Sequence, residues 1–150
     1  MSSDIAANPL RLLDTNIISE LMRHPGGKVA AQIQKLARER PDDRICTSAV
    51  VDCELRFGVA RKGSARLADA YGRAMSVIDV RDLPPSAAPI YADVRAQLEQ
   101  LGMPIGANDL LIAAHALALD ATLVTDNEDE FRRVPGLVVE NWLRPAYEHE

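Results

Sequence analysis

The chain has 150 residues, 47% apolar, 26% charged and 4% aromatic, with a formal net charge of −5. That suits one compact domain with an aliphatic core. It excludes a membrane span, since no apolar run approaches the ~20 residues such a helix needs, and it weighs against a bulk nucleic-acid binder, which needs an excess of Lys and Arg.

Ahead of the first apolar run lies Asp4 and no basic residue, which is unlike a signal peptide. Cys46 and Cys53 fit neither a zinc spacing nor a small disulfide scaffold, so two buried thiols in a reducing cytoplasm are expected. The first organised stretch is an apolar run ending in Leu13, followed by Asp14-Thr15-Asn16 and then by apolar residues at helical spacing. Asp, Thr and Asn accept the free N–H groups of a helix start. A buried strand ending at Leu13 and a helix from about Thr15 are therefore predicted, with Asp14 at the carboxyl end of the strand.

His24-Pro25-Gly26-Gly27 breaks the chain, and Val29 to Arg40 resumes a helical period. After the Pro41-Asp42-Asp43 turn, Arg44 to Thr47 reads as a second strand, with Ser48 as the cap of a helix over Ala49 to Arg61. A helix over Ala65 to Met75 and a strand over Val77 to Val80 follow. Pro84-Pro85 opens a long helix whose stripe of Ile90, Tyr91, Val94, Leu98 and Leu101 reads as core. Asn108 to Leu119 is a helix apolar almost all round, hence buried on several sides. Ala121 to Thr125 is a fourth strand, Asp126 to Arg133 a polar turn with a short helix, and Leu137 to Glu140 a fifth strand. Strands alternating with helices predict an α/β fold, a central parallel sheet of about five strands covered by helices.

Several acids are out of place on that scaffold. Glu54 has Val50, Val51, Phe57 and Gly58 as its helical neighbours, although it could pair with Arg61. Asp109 sits among Ile112, Ala113, Ala116 and Leu117; it could cap its helix, but Asn108 could do so in its place. Asp126 follows the fourth strand as Asp14 follows the first, with Asn127 beside it, and the sequence leaves open which of the two faces the crevice. Asp129 and Glu130 read as solvated surface. Carboxylates gathered without Lys or Arg repel one another, and a divalent cation relieves that repulsion. Ligation by oxygen alone selects Mg²⁺ or Mn²⁺ over zinc, a chemistry that activates water for attack on a phosphodiester. Arg56, Arg61, Lys62, Arg66 and Arg73 form one basic stretch and Arg38, Arg40 and Arg44 another, either a solvated face or a rim for phosphates.

Taken together, Leu12-Leu13-Asp14-Thr15-Asn16, the acid of Asp52-Cys53-Glu54-Leu55, the run from Ile105 to Ala113 and Leu123-Val124-Thr125-Asp126-Asn127 stand in the order seen in PIN domains. The sequence resembles the VapC-type toxins of bacterial toxin–antitoxin pairs over about residues 10 to 143, leaving an extension at 1–9 and a tail at 144–150. The resemblance implies a three-layer α/β/α sandwich and Mg²⁺-dependent cleavage of RNA, a tRNA or another structured RNA. It also implies a homodimer, inhibition by a cognate VapB-type antitoxin, and operator DNA bound only through that antitoxin. It matches Asp14, Glu54 and Asp109 to the family's three acids, and Thr15, Asn16, Ser48 and Thr125 to polar positions beside them. The family's fourth position falls formally on Asn127, with Asp126 the nearer acid, and Asp126 is taken as the fourth ligand.

Two other readings compete. A Mg²⁺-dependent phosphatase with an aspartyl nucleophile would want Asp where Asn16 stands. A non-catalytic protein- or nucleic-acid-binding module of the same fold should lack several of the acids. His115 reads as a core histidine, His24 and His149 as turn and tail residues, and Trp142 as closing the sheet edge.

Overall fold

The computed structural model describes residues 9–144. The predicted extension at 1–9, apart from Pro9, and the tail at 144–150, apart from Arg144, lie outside the described residues, and His149 with them. The elements run β1 (Leu10–Leu13), α1 (Thr15–Arg23), α2 (Lys28–Glu39), β2 (Arg44–Ser48), α3 (Ala49–Lys62), α4 (Ala65–Met75), β3 (Asp79–Arg81), α5 (Ala87–Gln100), α6 (Ala107–Ala118), β4 (Thr122–Val124), α7 (Glu128–Phe131) and β5 (Val139–Glu140). Among the described residues no helix is long and apolar enough to cross a membrane.

The five strands form one sheet in the order β3-β2-β1-β4-β5, and every pairing is parallel. β1 is central: Leu12 lies opposite Cys46 on one side and Leu123 on the other. The connections leave β1 toward β2 and β3, then return across the sheet to β4 and β5. Right-handed crossovers in opposite directions put α1 to α4 on one face and α5 to α7 on the other. The result is a three-layer α/β/α sandwich. Leu12, Leu13, Ile17, Ile18, Ile112 and Leu123 are fully buried between the layers, each contributing about 1.5–3 kcal/mol of apolar burial.

The strand order reverses between β1 and β4, and α/β sheets open a crevice beyond the carboxyl ends of strands at such a point. The backbone N–H of Asp14, just past β1, donates to the Val124 carbonyl at 2.9 Å. The loops after these two strands are thereby held side by side.

Several expectations are corrected. The third strand is Asp79–Arg81 rather than Val77 to Val80, because Ile78 turns into the core while Val77 is exposed; the charged residues at either end of β3 suit an edge strand. The fifth strand keeps only Val139–Glu140 of the span Leu137 to Glu140. Pro84 and Pro85 form the turn ahead of α5, their carbonyls accepting from the N–H groups of Ala87 and Ala88. Leu101 is 62% exposed, since it caps the end of α5 instead of continuing its buried stripe. Cys46 is buried, but Cys53 is exposed on α3.

Candidate active site

Asp14 is the buried anchor of the crevice. It caps α1, with Oδ1 accepting from the Thr15 N–H at 2.8 Å, while Oδ2 accepts from Thr125 Oγ1 at 2.8 Å and Asn16 Nδ2 at 3.4 Å. Burial pushes its pKa above the ordinary carboxylate range, and the nearby Glu54 charge adds to the rise, against the hydrogen bonds that favour the anion. The three polar neighbours do more than satisfy it. The Asn16 side-chain oxygen accepts from the Asp126 N–H, and Thr125 Oγ1 accepts from the Asn127 N–H, both at 3.0 Å. The turn after β4 is thus folded back onto the turn after β1.

Glu54 arrives from α3. Ser48 starts that helix by accepting from the Val50 N–H at 3.0 Å, which brings Glu54 round to the crevice two turns later. Its carboxylate accepts from Thr15 Oγ1 at 2.5 Å and Asn108 Nδ2 at 3.2 Å. The alternative pairing with Arg61 is not made; the Arg61 guanidinium lies over the Phe57 ring instead. Asn108 does not cap α6, which begins at Ala107 behind Gly106 without a side-chain cap, so its amide is available to Glu54.

Asp109, in the first turn of α6, faces the other acids. Its pKa is pushed up to about 7 by burial, by the charges of Asp14, Glu130 and Glu54, and by a hydrogen bond with Glu130. Glu130 was expected on the solvated surface; α7 is a single turn that carries it back over the crevice while Phe131 enters the core. The acidic run Glu128-Asp129-Glu130 hid it. The one signal available was its place just ahead of a buried aromatic, one turn beyond a strand end.

The structure therefore gathers Asp14, Glu54, Asp109 and Glu130, with Thr15, Asn16, Asn108 and Thr125 as hydrogen-bond partners. It does not gather Asp126 and Ser48 in the same way. Asp126 Oδ1 accepts from Asn141 Nδ2 at 3.0 Å, and that amide also reaches Glu128 at 2.8 Å, so the Asp126 carboxylate is held at the rim. Ser48 Oγ lies 2.7 Å from His115 Nδ1 in the core behind the crevice. Burial keeps that histidine's pKa low, and its Nε2 has no hydrogen-bond partner among the described residues, although the Asp82 backbone faces the ring.

No Lys or Arg side chain among the described residues bonds to the four gathered carboxyl groups, and every donor they offer is a hard oxygen, the set that suits a divalent hard cation. Among the described residues no three Asp, Glu, His or Cys side chains converge tightly enough to ligate one ion directly.

Residues 11–137 match the PIN domain family. The chain belongs to that family. Its curated relatives include ribonuclease VapC2 of Rickettsia felis, 38% identical over 87% of this chain and 96% of the relative, and the tRNA(fMet)-specific endonuclease VapC of Shigella flexneri, 35% identical over 87% and 96%. Among solved structures, the R. felis VapBC2 complex bound to a promoter DNA fragment superposes with a TM-score of 0.82 at 35% identity, covering 89% of this chain and 98% of its counterpart. FitAcB of Neisseria gonorrhoeae superposes at 0.75, with 28% identity over 90% and 99%. This PIN domain thus shares its fold with chains of the VapBC2 and FitAcB structures.

Proposed function

We propose that the chain is the toxin of a type II toxin–antitoxin pair, a divalent-metal-dependent endoribonuclease that works in the cytoplasm with Mg²⁺ as its ion and Mn²⁺ as a substitute. The observation that carries this reading is the acid cluster at the switch point, where burial and mutual repulsion hold Asp109 at a pKa of about 7. A cation at that point would discharge the proton and satisfy the carboxylates together.

Asp14 and Asp109 are assigned as the residues that would hold the ion, with Glu54 and Glu130 reaching it through water, and Asp126 and Asn127 at the rim where the leaving strand passes. A divalent ion held there would supply Lewis-acid stabilisation of the phosphoryl oxygens and lower the pKa of a water. Glu54, fixed by Thr15 and Asn108, orients the attacking water and accepts its proton. Thr125 and Asn16 keep Asp14 aimed at the crevice. Asn16 stands where an aspartyl phosphatase would need its second Asp, and its amide is committed to Asp14, Thr125 and the Asp126 N–H.

The VapC relatives support RNA as substrate, and the S. flexneri relative directs attention to a tRNA or another structured RNA. The VapBC complexes, one of them on a promoter DNA fragment, support a VapB-type antitoxin as partner; the assembly we infer is a homodimer joined into a larger complex, with DNA reached only through the antitoxin. The test is cleavage of a total small-RNA pool by antitoxin-free protein with Mg²⁺, with Mn²⁺ and with EDTA, alongside Asp14→Asn. Discrete fragments are expected that vanish in EDTA and fall by a hundredfold or more in the variant, on the order of the upper end of what losing even an outer-shell partner costs. Undiminished cleavage by folded Asp14→Asn would sink the assignment.

A further inference from the structure

A groove of about 810 Å³ runs from the acid cluster along the face shared by α1, α3 and α4, with Thr15 and Glu54 at its inner end. Its walls carry Arg23, Arg61, Lys62, Arg66 and Arg73. The basic stretch noted in the sequence is therefore largely folded onto one side of the crevice. Arg56 is the exception, being held by Asp52 and stacked over Tyr71.

Phe57 does not itself line the groove; it is 66% exposed on a helix whose buried side is Val51 and Leu55, and it reaches the groove wall through Arg61. Singly exposed apolar residues are ordinary, but this one is placed unusually. It lies three residues past Glu54, about 4.5 Å further along the helix. The Arg61 guanidinium covers its ring at 5.6 Å from the centroid. One cation thus both caps the aromatic face and lines the groove.

We propose that Phe57 and Arg61 form a stacking platform for one unpaired RNA base next to the scissile phosphate, with Lys62, Arg66 and Arg73 tracking the backbone of the same strand along the groove. The proposal rests on the nuclease reading and names which RNA it selects. A base is able to lie on an aromatic or guanidinium plane only when it is free of its own helical stack, which is how proteins read loops and single strands. Paired RNA offers phosphates to the groove and no open face to the ring, so the platform favours an unpaired segment. The α3–α4 wall is pre-set, because Tyr71 on α4 donates to Asp52 on α3.

The test uses the full chain, free of partner, and a short fluorescent RNA, either unstructured or annealed to its complement. Binding is read by anisotropy in EDTA, so that no turnover intervenes, for wild type, Phe57→Leu and Phe57→Trp. Cleavage by wild type with Mg²⁺ and light scattering of all three proteins accompany it. Phe57→Leu should weaken single-strand binding by about ten- to a hundredfold, the usual worth of one stacked base. It should leave duplex binding unchanged, and Phe57→Trp should retain wild-type affinity. An abasic site scanned along the RNA should reveal one position at which wild type and Phe57→Leu bind alike. If wild type cleaves but Phe57→Leu binds as tightly, the platform is overturned and the nuclease stands. If wild type neither binds nor cleaves, both readings fall. If Phe57→Leu instead changes the oligomeric state, Phe57 belongs to a contact between copies and the platform is overturned.

Discussion

Asp109 stands in the first turn of α6 facing three other carboxyl groups, and burial with those charges raises its pKa from 3.8 to about 7. The folded, metal-free protein therefore keeps a proton there that the unfolded chain releases near the ordinary value. Between those two values the native state binds more protons than the unfolded state, so this group's contribution to stability is greatest at the acid end and is lost as pH rises toward 7. Thermal unfolding in EDTA should show it as a difference: relative to Asp109→Asn, wild type loses stability across that interval and levels off above it. Mg²⁺ should raise the wild-type melting temperature above pH 7 and do little at the acid end, where the proton competes for the site. Parallel pH curves for the two proteins, with or without Mg²⁺, would remove Asp109 from the site. Asp14, whose pKa is also raised, should reinforce the trend, which is why the difference curve and not the wild-type curve carries the test.

At the scale of elements, α3 does most to join fold and site. Its first residues are fixed by Ser48, its second turn delivers Glu54, and its outer side carries Arg61, which lines the groove and covers the exposed Phe57 ring. Gly58 lies on the groove side of the same helix, and a Cβ built there meets nothing within 4 Å. Gly58→Ala should therefore stabilise the protein by about 0.5–1 kcal/mol through helix propensity alone, read as a higher urea midpoint at unchanged slope, with RNA cleavage retained. A lower midpoint would mean that the glycine has a role in backbone packing. The same helix shows what was legible beforehand. Strand–helix alternation, the caps at Asp14 and Ser48 and the misplaced acids Glu54 and Asp109 are local patterns, and each stands where the sequence put it. Glu130 and Asn108 were illegible in their roles because both depend on distant elements: α7 is one turn among surface acids, and Asn108 looked like a cap until Gly106 took that place. Asp126 and Asn127 failed to separate for the same reason. What fixes the Asp126 carboxylate is Asn141, beyond the next strand, and no periodicity encodes that bond.

For the molecule as a whole, the net charge of −5 conceals a strong asymmetry. Acids gather at the crevice, while Arg61, Lys62, Arg66 and Arg73 gather along one groove leading away from it. A polyanion approaching this surface is repelled by the protein on average and attracted along one line, and the ion at the acid cluster removes the local repulsion where the strand must pass. Affinity for single-stranded RNA should accordingly follow the groove and not the total. Neutralising about four phosphates on a single strand gives a slope of about −3 for log K against log salt. Lys62→Ala with Arg66→Ala should reduce that slope by about half, whereas reversing two acids on the far side of the molecule, such as Asp93 and Glu99 on α5, should leave it unchanged. Asp93→Lys with Glu99→Lys shifts the net charge by four units, so the comparison separates local from global electrostatics. A slope that tracks net charge in all three proteins would mean that RNA is held by diffuse attraction, and that the groove beside α3 does not guide it to Asp14.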